Sequence, residues 1–173
     1  MLEATVLRVD ARGALVDAPD GAIYAQLRGN LFQEATWATR PVAVGDRVRL
    51  EGSGSDLTIA EVLARRNQLI RQAKRGEPKA QAIAANLDEV AILAALSKPT
   101  FSSTFVDRVL ATAAACEIGA LLILNKIDEA APADADAIAS TYRKVGIDAM
   151  AISAKTGAGS TRCARACAGA PPS

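Results

Sequence analysis

Histidine is absent from the 173 residues. Its absence excludes Ser-His-Asp and Cys-His catalysis and every zinc site that uses an imidazole. Cysteine is scarce: Cys116, Cys163 and Cys167 are an odd set, and no secretory segment is recognisable. A disulfide framework is therefore not expected, and a reducing cytosol is. The first residues, Met1-Leu2-Glu3-Ala4, lack the basic and then apolar stretches of a signal peptide. No apolar run approaches the roughly 18–20 residues that cross a bilayer. Net charge is also nearly missing, with Lys+Arg 20 against Asp+Glu 19. No global field thus points to nucleic acid or membrane, and any electrostatic partner has to be read from local clusters. The low aromatic content of 3 % accompanies abundant alanine, a mark of GC-rich coding rather than of function. A soluble, cytoplasmic, monomeric protein without a membrane partner is expected.

Half of the residues are apolar, enough to bury a core, and the length suits one domain or two small ones. The first part reads as short strands: Thr5 to Val9, Gly13 to Asp17 and Ile23 to Leu27, the third after a Pro19-Asp20-Gly21 turn. Val42 to Leu50 and Leu57 to Val62 follow, separated by Gly52-Ser53-Gly54-Ser55. Five short strands over residues 1–64 predict a small closed barrel of the OB type, with an SH3-like barrel as the alternative. Residues 65–85 form a basic connector, in which Arg65, Arg66, Arg71, Lys74, Arg75 and Lys79 face Glu77 alone. As a solvated linker this run has no function. Beside an OB barrel, Arg65, Arg66, Arg71, Lys74 and Arg75 are candidate RNA contacts.

From Asn86 the pattern changes. Val90 to Leu96 is a continuous apolar run that suits a strand buried on both faces of a parallel sheet. Ser102 and its neighbours cap a helix whose apolar face carries Phe105, Val106, Val109, Leu110 and Ala113. A second apolar run, Ile118 to Leu124, ends at Asn125. Pro132 opens another helix that Gly146 stops, and Ile147 to Ile152 is a third strand. Residues 86–157 thus read as βαβαβ, half of a doubly wound sheet. Residues 158–173 have no periodicity and are expected to be a disordered tail.

The chemistry concentrates where open α/β sheets bind ligands, at the carboxyl ends of the strands. Asn125-Lys126-Ile127-Asp128 ends one strand and Ser153-Ala154-Lys155 ends the next. Guanine presents two adjacent donors, N1–H and the exocyclic amino group, and the Asp128 carboxylate can accept both. Adenine would turn a ring acceptor toward that carboxylate, and a site left unpaired in this way discriminates by roughly 10⁴–10⁵. Asn125 suits guanine N7, the Lys126 stem can lie flat on the base, and the Ala154 N–H suits O6. Asn125, Lys126, Asp128, Ser153, Ala154 and Lys155 are the candidate guanine-binding residues.

These residues, in this order, resemble the circularly permuted, ribosome small subunit-dependent GTPases of the RsgA (YjeQ) family. The resemblance includes Arg66-Asn67-Gln68-Leu69-Ile70-Arg71, Ala84-Ala85-Asn86-Leu87-Asp88-Glu89-Val90 and Phe105-Val106-Asp107-Arg108-Val109-Leu110. It implies an OB-type barrel followed by a partial permuted P-loop GTPase domain. It also implies a GTP hydrolase with GTP and GDP as ligands, acting in late maturation of the 30S small ribosomal subunit and contacting 16S rRNA. Magnesium and a structural zinc belong to the same implication, but their ligands are absent here. In the family the phosphate loop, switches and zinc knuckle follow the Ser-Ala-Lys motif. This sequence contains no Gly-x-x-x-x-Gly-Lys-Ser/Thr, so no catalytic residue is assigned within it and activity of the chain by itself is not expected. Cys163-x-x-x-Cys167 lacks two of the ligands a zinc knuckle needs. Two accounts of residues 158–173 stand side by side: an out-of-frame or truncated reading, and a natural short protein. The alternative function is a non-enzymatic rRNA-binding OB module with a vestigial guanine-reading site.

Overall fold

The computed structural model describes residues 2–19, 21–29, 31, 40–71 and 81–168. These residues fall into two compact units, Met1–Leu87 and Asp88–Ser173.

The first unit is a closed five-stranded barrel with a hairpin. Its strands are β1 (Leu2–Val9), β2 (Gly13–Ala18), β3 (Gly21–Leu27), β4 (Arg47–Glu51) and β5 (Thr58–Val62), in the order β1-β2-β3-β5-β4 and closing on β1. The pairings are antiparallel except β3 with β5, where Gln26 and Leu27 lie parallel to Thr58 and Ile59. This crossing order distinguishes the OB-type barrel from a simple meander. Alternation drives it: Ala4 and Val6, Ala14 and Val16, Val48 and Leu50, with Ala25 and Ile59, fill the interior. The register of β1 on β2 shifts between Val6 and Arg8, leaving Leu7 exposed at a bulge that helps the strand coil.

The sequence suggests a strand from Val42, but β4 begins only at Arg47. Gly45 interrupts it with φ +84°, and a Cβ there would collide with the Ala85 carbonyl oxygen. The expected connector is likewise structured where it is described. β6 (Gln68–Arg71) and β7 (Gln81–Ala85) pair antiparallel, and the Ala85 N–H donates to the Val44 carbonyl. Such short strands, one of them rich in alanine, carry little periodic signal.

The second unit has a three-stranded parallel sheet in the order β10-β9-β8, from β8 (Glu89–Ala95), β9 (Gly119–Asn125) and β10 (Asp148–Ala151). Helix α1 (Ser103–Ala115) packs on β8 and β9, and α2 (Pro132–Lys144) on β10 and β9. Ser102 caps α1 by accepting the Phe105 N–H. Ile92, Leu122, Leu124 and Ala149 point into the layer beneath these helices, where Val106, Ala139 and Tyr142 meet them.

Three features of the second unit depart from the sequence pattern. β8 is not buried on both faces, because Ala91 and Leu93 are exposed, Leu93 by 61 %. Phe105 lies outside the packed face of α1, whereas Val106 and Ala113 are fully buried and Val109 and Leu110 partly so. Residues 158–173 are not a disordered tail where they are described: Ser160–Cys167 form helix α3. Its Cys163 and Ala166 pack on Leu121, Ile123, Met150 and Ile152, the second face of the sheet. An i, i+3 pair of small residues over a buried β surface is too short a pattern to register as periodicity.

Candidate functional site

Both loops of the candidate site leave the carboxyl end of the second unit's sheet. The parallel register sets Leu124 beside Ala151, so that Asn125 and Ser153 emerge from neighbouring strands. Lys126 is left-handed, at φ +66°, and Ile127–Glu129 form a 3-10 turn. A left-handed non-glycine residue is uncommon and is held here by its neighbours. The Asn125 side-chain carbonyl accepts both the Lys126 N–H at 2.7 Å and the Ala154 N–H at 3.1 Å. Those two donors define the orientation of the amide, which leaves Nδ2 to act as a donor, the group that guanine N7 requires.

Ser153 is fully buried beneath the loop. Its hydroxyl donates to Asp128 Oδ1 at 2.6 Å and accepts the Thr156 N–H at 3.1 Å. Ser153 therefore orients Asp128 rather than facing a base itself. The same hydrogen bond is the largest cause holding the Asp128 carboxyl below the usual carboxylate range. Desolvation opposes it, and a backbone hydrogen bond and the charges of Lys155 and Lys126 add to it. Asp128 is thus an acceptor at neutral pH. Lys155, 78 % exposed, stands 3.9 Å from Asp128 Oδ2, a surface pair of little energetic weight. The Ala154 N–H, expected to face guanine O6, is engaged by Asn125 in this structure and must be shared or released to reach a base.

The turn beyond Ser153 closes through Ser153 N–H to the Ala158 carbonyl and Gly157 N–H to the Ser153 carbonyl, both 2.9 Å. Gly159, at φ +73°, then admits α3: a Cβ there would lie 2.6 Å from the Ala151 carbonyl oxygen.

The basic candidates separate. Arg65 is not available to RNA: only 13 % exposed, it grips the fully buried Asp46 in a fork, Nε to Oδ1 at 2.7 Å and Nη2 to Oδ2 at 2.8 Å. Its remaining donors reach the Gln68 side chain and the Pro41 carbonyl. Asp46 also accepts the Ala43 N–H. No local pattern signals this pair, since Arg65 and Asp46 are separated by the whole of β4 and β5. Arg66 is exposed and donates to the Asn86 and Leu87 carbonyls; Arg71 is exposed and donates to the Gln81 side chain. Lys74 and Arg75, like Lys79, lie outside the described residues. Among the described residues no group of three or more His, Cys, Asp or Glu side chains comes together. Nor is any helix among them long and apolar enough to cross a membrane.

Sequence reasoning missed three contributors. Ser97 Oγ donates to Glu129 Oε2 at 2.6 Å, and the Lys126 ammonium donates to the Lys98 carbonyl. Ser97, Lys98 and Glu129 all border the guanine motif, but only Glu129 is adjacent to it in sequence, and nothing in its local pattern distinguishes it.

The fold is shared with solved structures. A crystal structure of YjeQ from Thermotoga maritima superposes with TM-score 0.71 at 23 % identity, covering 95 % of this chain and 56 % of that one. The crystal structure of YloQ, described as a circularly permuted GTPase, superposes with TM-score 0.64 at 24 % identity, covering 90 % and 52 %. Both share with this chain a barrel followed along the chain by a parallel sheet, a likeness of fold. The family model for the RsgA GTPase matches residues 62–170, and the chain belongs to that family. Two similar proteins carry the name small ribosomal subunit biogenesis GTPase RsgA. The one from Porphyromonas gingivalis is 32 % identical over 165 residues, 91 % of this chain and 52 % of its own length. The one from Christiangramia forsetii is 34 % identical over 164 residues, 90 % and 52 %. The chain spans about half the length of these curated relatives.

Proposed function

We propose that these residues are the base-reading portion of a cytoplasmic GTPase that assists late maturation of the 30S small ribosomal subunit, hydrolysing GTP to GDP and phosphate. Asn125, Lys126, Asp128 and Ala154 meet the base; Ser153 and Lys155 support Asp128. The observation that carries this reading is the Asp128 carboxylate, fixed by the buried Ser153 hydroxyl at the mouth of the parallel sheet. A carboxylate with both oxygens on one edge matches the paired donors of guanine and repels the acceptor edge of adenine.

Equilibrium binding of GDP, ADP and xanthosine diphosphate to the 173-residue chain tests it. GDP should be preferred over ADP by at least about tenfold, since sites built on hydrogen bonds discriminate strongly. Asp128→Asn should erase that preference and favour xanthosine diphosphate, whose C2 carbonyl suits an amide donor. Equal binding of GDP and ADP by the unaltered chain would refute the assignment.

A second reading, an rRNA-binding module in which the guanine site is vestigial, draws support from the OB strand order and from exposed Arg66 and Arg71. Phosphate contacts would give RNA binding a steep salt dependence. Under this reading GDP leaves the affinity for 16S rRNA unchanged; under the first it alters that affinity.

A further inference from the structure

We infer that the segment after β8, Leu96-Ser97-Lys98, is a positioning element for base recognition, a role that rests on the guanine reading above. The guanine loop is supported from one side by the Ser153–Ala158 turn. On the other side it is attached to this segment at three places. The Leu96 N–H donates to the Asn125 carbonyl at 3.1 Å, extending the β8–β9 ladder by one rung. Ser97 Oγ donates to Glu129 Oε2 at 2.6 Å. The Lys126 ammonium donates to the Lys98 carbonyl.

Each attachment meets a different part of the recognition apparatus. The Leu96 rung fixes the backbone of Asn125. The Ser97–Glu129 bond secures the last residue of the 3-10 turn, one position beyond Asp128, so the turn cannot unwind without breaking a charge-assisted bond of short length. The Lys98 carbonyl holds the far end of the Lys126 side chain. With backbone φ at +66° and the ammonium tethered, both ends of the Lys126 stem are fixed, and the methylenes between them form a platform for a flat base. A flexible lysine would have to be ordered at the moment of binding, at a cost in side-chain entropy. The tether places that cost in the folding of the loop.

The role belongs to Ser97 as a positioning residue, since it touches Glu129 and not the base. Its variants are measured in two ways on the whole 173-residue chain. Hydrogen exchange without nucleotide should show Ser97→Ala accelerating the amides of Glu129 and Ala130, whose N–H groups close the 3-10 turn, while β9 and α2 remain protected. Equilibrium binding should show Ser97→Ala weakening GDP by roughly 3- to 10-fold, as expected for loss of one partly exposed hydrogen bond. ADP binding should be unaffected, and Ser97→Thr, which keeps the hydroxyl, should restore both readouts. Unchanged exchange in Ser97→Ala would overturn the inference. So would faster exchange with unaltered GDP affinity, because the strap would then exist without serving recognition. If the unaltered chain fails to distinguish GDP from ADP, the guanine reading itself fails and the inference falls with it, whatever the exchange data show.

Discussion

Two carboxylates illustrate how differently one residue type is used in the two units. Asp46 is fully buried, forked by Arg65 and bonded to the Ala43 N–H. Removing one member of a buried pair strands the other charge, so Asp46→Ala should lower stability by about 3–5 kcal/mol. Chemical denaturation followed by the barrel's own signal measures this, and a loss below about 1 kcal/mol would mean Arg65 finds another anion. Asp128 lies near the surface, its pKa lowered first by the Ser153 hydroxyl. A depressed carboxylate contributes binding while ionised and loses it only as pH falls through the lowered value. GDP affinity should therefore stay level as pH falls toward the ordinary Asp value of about 4, and decline only beneath it. In Ser153→Ala the decline should begin at higher pH, because the largest lowering interaction is gone.

Among the elements, the two helices on one face of the parallel sheet are joined by a polar contact. Tyr142 of α2 donates its hydroxyl to Asp107 of α1 at 2.9 Å, and its ring meets Phe101 edge to face. Burial first, then the bond to Asp107, pushes the Tyr142 hydroxyl up to about 12. A phenol whose pKa is raised on folding contributes its full stability below the unfolded value near 10 and loses it as pH rises toward the folded value. Tyr142→Phe should cost about 1 kcal/mol at neutral pH and flatten the alkaline loss of stability between roughly pH 10 and 12. Thermal melts of the two proteins across that range decide the matter, and parallel pH profiles would contradict the assignment. Elsewhere the elements follow the sequence with instructive exceptions. Alternating residues make the barrel strands legible, and apolar runs ending in Asn125 and Ile152 make the parallel strands legible. β6 and β7 are hidden because strands so short hold too few turns of any period. α3 is hidden because its packing uses Cys163 and Ala166, small side chains that hydrophobic patterning weighs lightly. The site divides likewise: Asn125, Asp128 and Ser153 can be read from type and spacing, while Ser97 and Lys98 enter only through the course of β8 alongside β9.

At the level of the whole molecule, membership of the RsgA GTPase family meets a chain about half as long as its curated relatives. The 173 residues contain no Gly-x-x-x-x-Gly-Lys-Ser/Thr, the element that cradles β- and γ-phosphates in P-loop GTPases. Base reading and phosphate handling are separable free energies, so the chain should recognise guanine weakly and turn over no GTP. Phosphate release from the purified chain, measured against buffer, tests this. Turnover by the unaltered chain that Asp128→Asn abolishes would show that residues of this chain handle the phosphates once the base is bound.

The shared acceptor at Asn125 has a further consequence. Its side-chain oxygen holds a backbone N–H from its own loop and another from the loop after β10, and Ser153 joins Asp128 across the same gap. The two bonds that join the loops, Ala154 N–H to Asn125 and Ser153 to Asp128, require Leu124 to stand beside Ala151. A slip of one residue between β9 and β10 would turn Ser153 to the opposite face and dissolve them together. Under the proposed function, a base held between these loops would be linked to strand alignment, and the nucleotide would act as a clasp that closes only when the sheet has been assembled in step.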